Sequence, residues 1–576
     1  MPPAVESSAP AIGRRSLWAW AAVAALVIAN VPLMLCMPLP ADAALYDLQA
    51  KTALSGGVLY RDIVEPNLPG IVWCHMAIRS LFGWSEVALK WVDLVVVGAI
   101  TWLLVRLVAR RRTADGFESE AGSAVLAGLA FVIIGFYCST PEWVHCQRDI
   151  WLTLPALLAF TLRTQRSVAD AANVGQPTAL SPIALQVLEG TLWGCAFWIK
   201  PYVAVPAAFA VALSLLLMRR RGATWRRLTA DVLCVVAGGA LTAAAGSAWL
   251  VATGTWQPFL EQMLEWNPVY FANGRSRWTL SQYVSLSRDL APWCLVHIVA
   301  LPVAAMIVWR TMRTSWRVRP QPDVANHAPD HISALLAALY LGWMLQAHFL
   351  QHPFHYCHTP TVFLAAAVLA TQWPAPRASR RIANLAFAAS IVVAFIQAPC
   401  FAPARLAWWS DCITRGAKAD VKCALHHRNL PNWVELQPVI EFLRDQNLKD
   451  GELTAYNVFL VHLYPEVGVM PSTRYVFLDV LMQVFHDRSD AIQAALADSP
   501  QRFVVCSLLE NGMSADDIAA AGPGVQETLP PAFPAEHASE FPYCLPLVFR
   551  SGQYVVYRVD RDLGQLNTTP RPLARN

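Results

Sequence analysis

Apolar residues along this chain gather in long blocks rather than alternating stripes. Read at about 20 residues, the helical length that crosses the hydrocarbon core of a bilayer, the blocks fall at 17–37, 87–105, 122–138, 150–162, 184–218, 230–253, 291–309, 332–350, 359–373 and 382–401. The fifth block is 35 residues long and is broken by IKPY, at Lys200 and Pro201, so it predicts two short helices meeting at a turn. The expectation is a polytopic α-helical membrane protein with about 11 transmembrane helices.

Basic residues between the blocks orient the spans. One set of alternating segments, including ARRR near Arg112, RRRGATWRR and PRASRR, holds 20 Lys or Arg; the opposite set holds eight. By the positive-inside rule the first set and the N-terminus are cytoplasmic, and eleven spans place the C-terminus outside. Arg14 and Arg15, an apolar run and Ala41-Asp42-Ala43 also have the order of a cleavable signal peptide. The run is longer than the usual signal core of about 7 to 15 residues, which favours a retained helix.

Past Pro403 apolar density drops. The segments LTAYNVFLVHLY, RYVFLDVLM, RFVVCSLL and QYVVYRV read as β-rich runs, PVIEFLRDQNL reads as a helix, and the tail TTPRPLARN reads as disordered. The organisation is therefore a transmembrane domain over 1–403 and a small extracytoplasmic α/β domain over 404–576. Two outer loops are long. One follows the first span and runs through IVWCHMAIRSLFGW, which suits a helix lying along the interface; the other carries the amphipathic, aromatic WQPFLEQMLEWNPVYF.

Composition strengthens this picture. The chain of 576 residues is 56% hydrophobic and only 15% charged, against about 25% charged in soluble proteins, and its mean hydropathy is +0.38. No nucleic-acid partner is expected. The 13 cysteines contain no CxxC pair. Cys412, Cys423, Cys506 and Cys544 lie where disulfides are permitted, and both pairing and free thiols stay open.

Chemistry concentrates in four clusters on the predicted outer side. ADAALYDLQAKTALSGGVLYRDIVEPNLPG puts Asp42, Asp47, Asp62 and Glu65 within thirty residues, and in a helix Asp42 and Tyr46 share a face. A carboxylate beside apolar walls can act as a general base; the alternative is that Asp42 caps an interfacial helix. CSTPEWVHCQRDIW sets Arg148 and Asp149 at the start of an apolar span, where charge is costly unless used or paired, and they could pair with each other. Lys200 at its turn could receive a phosphate or simply snorkel. LQHPFHYCHTP, with His348 just before it, contributes His352, His355 and His358, read either as metal or phosphate contacts or as ordinary surface histidines.

Asp42 with Tyr46, followed by ALSGGVLYRDIVEPNLPG, resembles the first outer loop of the GT-C membrane glycosyltransferases, a superfamily that includes protein O-mannosyltransferases, aminoarabinose transferases of lipid A and bacterial galacturonosyltransferases. The match comprises an acidic residue after the first span, a Tyr, a GGxxYxD run ending at Asp62 and a Pro-rich turn. QRD at Gln147 to Asp149, WIKP at Trp198 to Pro201, and Tyr356 to Pro360 with His358 are also similar to bacterial members. The resemblance covers about the first 400 residues.

It implies transfer of a sugar, with inversion, from a polyprenyl-phosphate donor on the outer face of a bacterial cytoplasmic membrane. The acceptor would be an envelope lipid, glycan or protein. Asp42 would be the catalytic base, and Lys200 with Arg148 would hold the departing phosphate. Tyr46, Asp62, Asp149, Tyr356 and His358 would contact substrate. A divalent metal is possible on the family pattern, but Ala43 stands where many relatives have a second acid. Two other classes compete. A transporter or flippase would place polar residues near the bilayer midplane and often repeat its halves, and this chain does neither; a non-catalytic assembly protein would keep its function as Asp42→Asn.

Overall fold

The computed structural model describes residues 14–113, 120–172, 181–317, 328–373, 378–427, 430–520, 525–526, 528–534 and 541–560. The tail TTPRPLARN lies outside the described residues. In chain order the helices of the first part are α1 (Arg14–Cys36), α2 (Ala41–Leu54), α3 (Gly70–Phe82), α4 (Glu86–Thr113), α5 (Glu120–Ser139), α6 (Arg148–Ala172), α7 (Pro182–Ile199), α8 (Ala204–Arg220), α9 (Trp225–Ala252), α10 (Trp256–Glu261), α11 (Asn267–Ser276), α12 (Leu280–Asp289), α13 (Val296–Arg317), α14 (Ala328–Phe349), α15 (His355–Ala370) and α16 (Ala378–Gln397).

The chain is a polytopic helical membrane protein, with eight helices among the described residues long and apolar enough to cross a membrane. They lie in α1, α4, α5, α7, α8, α9, α13 and α14. The other three predicted blocks are helical too, as α6, α15 and α16, but fall short of that measure. α6 carries Arg148, Asp149, Arg163 and Arg166, α15 has 16 residues, and the apolar part of α16 is only Arg381–Gln397.

The break in the fifth block is where the sequence put it. α7 ends at Ile199, Lys200 is extended (φ −157°), and Pro201–Val203 forms one 3-10 turn before α8. Close packing fixes α7 against α9. A Cβ on Gly190 would lie 1.9 Å from the Val235 carbonyl oxygen, and one on Gly238 would lie 2.0 Å from that of Val187. Small residues thus let two backbones touch, the usual way membrane helices associate. At one end of these helices Arg163 and Arg166 reach Glu189 and Asp231, with Arg163 Nε to Glu189 at 2.8 Å and Arg166 Nη1 to Asp231 at 2.7 Å. Such charges are tolerated in an apolar interior only when matched, as they are here.

The second part holds a five-stranded sheet built from β1 (Leu453–Ala455), β2 (Phe503–Ser507), β3 (Val525–Gln526), β4 (Leu547–Ser551) and β5 (Tyr554–Arg558), in the order β1-β2-β5-β4-β3. β1 and β2 are parallel and the other pairs antiparallel. PVIEFLRDQNL lies largely in the helix Trp433–Asp445. RYVFLDVLM departs from the β reading: Leu478–Val484 is helical, its apolar side chains packed with Trp266 and Phe485 rather than laid along a sheet. LTAYNVFLVHLY likewise keeps only β1, then turns helical from Val458.

This part meets the membrane helices at several points. Lys422 Nζ stands 3.4 Å from Glu86 of α4 and 3.9 Å from the centre of the Trp433 ring. Val64 N donates to Arg474 O at 2.8 Å. The predicted amphipathic loop forms α10 and α11 joined by a π turn, Gln262–Trp266, and Trp266 packs on Tyr475 and Phe485.

Candidate active site

Pro38 and Pro40 separate α1 from α2, and Asp42 falls in the first turn of α2, where the helix dipole favours a carboxylate. Its Oδ2 accepts from Gln147 Nε2 at 3.0 Å. Desolvation raises its pKa above the usual carboxylate range, against the opposing pull of Gln147, Arg148 and Lys200. Tyr46 lies one turn along, buried, with its ring edge-on to His75 at 5.6 Å. On another side of α2, Asp47 accepts from His75 Nδ1 and Arg79 Nε, each at 2.8 Å, which locks α2 onto α3. His75 stacks on Trp151 of α6 at 5.3 Å, so three helices hold the Asp42 face in place.

The Pro-rich turn supplies the next groups. Asn67 is its hub: its carbonyl accepts from Tyr60 Oη at 2.7 Å, its Oδ1 accepts from Arg148 Nη1, and its Nδ2 donates to Glu65 Oε1. Asn267 Nδ2 donates to the Pro66 carbonyl at 2.8 Å, tying the turn to α11. Gly70 begins α3 directly against α7, for a Cβ there would lie 2.4 Å from the Trp198 carbonyl carbon. The turn is thereby pinned beside Lys200.

Cys146, in the left-handed region at φ 55°, re-aims the chain before α6. Gln147 then meets Asp42 and Arg148 meets Asn67. Asp149 pairs not with its neighbour Arg148 but with Lys200, whose Nζ donates to both carboxylate oxygens at 2.9 and 2.7 Å. Lys200 also donates to Gln351 Oε1 and stands 5.6 Å from the centre of the Tyr356 ring. Its charge is matched; no carboxylate pairs with Arg148 among the described residues.

These groups face a cavity of about 520 Å³ lined by Arg148, Lys200 and Tyr356 together with Asn67, Tyr202, Asn267, Tyr270, Gln351, His352 and Phe354. Asp42 and Tyr46 adjoin it through Arg148. Two sequence candidates sit elsewhere. Asp62 accepts from Val58 N and Arg61 Nε, each at 2.7 Å, and builds the turn. His358 is buried, 4.8 Å from the ring of His348, and does not line the cavity. Among the described residues no group of three or more His, Cys, Asp or Glu is placed to hold a metal. All thirteen cysteines are unpaired.

Glu65 is the residue that sequence reasoning left without a role. It is 8% exposed, and desolvation pushes its pKa up to about 8, with Arg148 pulling it down and Asp42 adding to the rise. The folded chain therefore keeps a proton that the unfolded chain releases near its ordinary value of 4.5, so stability falls as pH rises from there to about 8. The slope is at most ~1.4 kcal/mol per pH unit. Thermal unfolding in detergent should show Glu65→Gln flattening this part of the pH dependence; an unchanged slope would mean that the carboxyl is already ionised in the folded protein. Held neutral, Glu65 sets no charge of its own against Arg148.

No protein-family model and no curated protein matches the chain. Among solved structures it is similar to ArnT from Cupriavidus metallidurans bound to undecaprenyl phosphate, with 15% identity, a TM-score of 0.49 and coverage of 96% of this chain and 100% of that one. It is also similar to the Archaeoglobus fulgidus oligosaccharyltransferase in the apo form, with 10% identity, a TM-score of 0.43 and coverage of 86% and 70%.

Proposed function

We propose that this protein transfers a sugar from a polyprenyl-phosphate donor to an acceptor hydroxyl of the cell envelope, on the extracytoplasmic face of a bacterial cytoplasmic membrane, with inversion at the anomeric carbon. The observation that carries the reading is a carboxylate of raised basicity, Asp42, close to the guanidinium of Arg148, which lines the cavity and has no carboxylate paired with it among the described residues. Those are the two functions that transfer from a lipid phosphate requires. The acceptor oxygen forms its bond to the anomeric carbon while its proton passes to Asp42. The bond from that carbon to the phosphate oxygen breaks, and the electron pair leaves with the polyprenyl phosphate. Arg148 stabilises the charge that grows there, an effect that counts most in a site shielded from water.

Lys200, fixed by Asp149 and Gln351, forms the adjoining wall, and Tyr356 closes the cavity beside it. Gln147 holds Asp42 toward the site. No step is assigned to a metal. The test is mass spectrometry of envelope glycolipids and glycoproteins from cells with and without the protein. One sugar should be missing from one acceptor class in its absence, and Asp42→Asn should reproduce that loss; an unchanged envelope would overturn the reading.

A further inference from the structure

The end of α1 meets the second part of the chain through two cysteines. Cys36 closes α1, just ahead of the Pro38 and Pro40 break that leads to Asp42, and Cys412 lies in the short helix Trp409–Thr414. They are 376 positions apart, yet Cys36 Sγ donates to the Cys412 carbonyl oxygen at 3.5 Å. The side chains meet as well: a hydrogen bond with the Cys36 thiol, ahead of burial, raises the Cys412 pKa above the ordinary thiol value. Cys423, by contrast, donates to Asn432 Oδ1 at 3.4 Å.

The surroundings hold the two cysteines against each other. Both are buried, in one apolar cluster with Leu33 of α1 and with Val421 and Leu425 of the helix Ala419–Leu425. Trp409 Nε1 donates to the Ala29 carbonyl oxygen at 3.0 Å, a second tie between α1 and the helix of Cys412. Lys422, on the helix that supplies Val421 and Leu425, reaches Glu86 of α4. The approach is thus made by packing and by contacts that do not involve sulfur, and closing an S–S bond asks little further movement of either backbone.

We propose that Cys36 and Cys412 are joined by a disulfide in the mature protein, which ties the first span covalently to the second part. The proposal rests on the reading that puts this part on the extracytoplasmic face, where disulfides form and persist. One thiolate attacks the disulfide of a thiol–disulfide oxidoreductase of that compartment, and the other displaces the carrier from the mixed disulfide. One S–S bond forms in the chain, two protons go to water, and the carrier leaves reduced to a dithiol. The loop that closes encloses nearly the whole membrane part, so the bond removes much of the freedom of the unfolded chain. It also anchors the end of α1, from which the short Pro-containing link leads to the helix of Asp42.

Thiol trapping tests this. Cells are quenched in acid, free thiols are blocked with N-ethylmaleimide, and the purified full-length protein is digested for mass spectrometry without reductant. The peptide carrying Cys36 should be found linked to the peptide carrying Cys412 in most chains, and reductant added before blocking should open both to maleimide. Cys36→Ala and Cys412→Ala should each abolish the linked species and leave the remaining cysteine labelled. A phosphatase fused to the C-terminus, active only where disulfides form, reads the compartment in the same cells. Both cysteines labelled without reductant while the phosphatase is active, or either one linked to a different cysteine, would overturn the proposal. Both labelled while the phosphatase is silent would instead overturn the extracytoplasmic reading beneath it.

Discussion

Asp42→Asn should lower single-turnover sugar transfer by roughly 10² to 10⁴, the usual worth of a positioned general base, while donor affinity changes little. Asparagine keeps the size of the side chain and can still accept the hydrogen bond from Gln147, so the loss isolates the proton-accepting function. α2 should stay in place, because Asp47, His75 and Arg79 hold it independently of Asp42. Since the donor phosphate is assigned to Arg148, its ground-state binding does not depend on the base. Rate and binding should therefore separate, the pattern of a group that acts in the transition state. The measurement is donor binding and single-turnover transfer on the same detergent-solubilised preparation. Wild-type turnover, or loss of donor binding in step with rate, would remove Asp42 from the role of base.

Much of this architecture is legible in the sequence because lipid imposes a simple rule: a backbone inside it must be helical, and its side chains must be apolar. All ten blocks are helical in the structure, and Lys200 with Pro201 marks the break between α7 and α8. The site is legible only in part. Asp42 and Tyr46 share a helical period, which a sequence displays. Asn67 and Glu65 act through contacts across the fold, Asn67 reaching Arg148 from 81 positions away, and no local pattern announces that. The Glu-Pro-Asn order within the Pro-rich turn was the available signal. Neighbouring charges stayed ambiguous for the same reason. Arg148 and Asp149 are adjacent in the chain, yet consecutive residues on a helix point in different directions, and they take different partners. In the second part, RYVFLDVLM is rich in β-formers but is drawn into a helix by packing against Trp266 from the membrane part, a contact invisible to propensity.

Arg148→Ala should weaken the donor complex and slow transfer together, by a combined factor of about 10² to 10³ in kcat/KM, the range expected when one partner of a buried charged contact is truncated. Lys200 lines the same cavity, but the structure separates the two cations. Arg148 bonds to a neutral amide, so its charge remains available to a phosphate. Lys200 spends its donors on Asp149 and Gln351. Removing Lys200 alone strands the Asp149 carboxylate in a buried place, a loss of about 3 to 5 kcal/mol that appears first as instability. A double substitution isolates the question. Lys200→Met with Asp149→Leu exchanges the ion pair for apolar groups and should recover the stability that Lys200→Met loses. If Lys200 is chiefly a wall of the site, the stable double variant should bind undecaprenyl phosphate at least about 10-fold better than Arg148→Ala does, a difference of one decade or about 1.4 kcal/mol. Thermal unfolding and lipid-phosphate binding on the four proteins decide it. A double variant that folds like the wild type yet loses lipid phosphate as fully as Arg148→Ala would show that the phosphate draws Lys200 away from Asp149, and that both cations grip the leaving group.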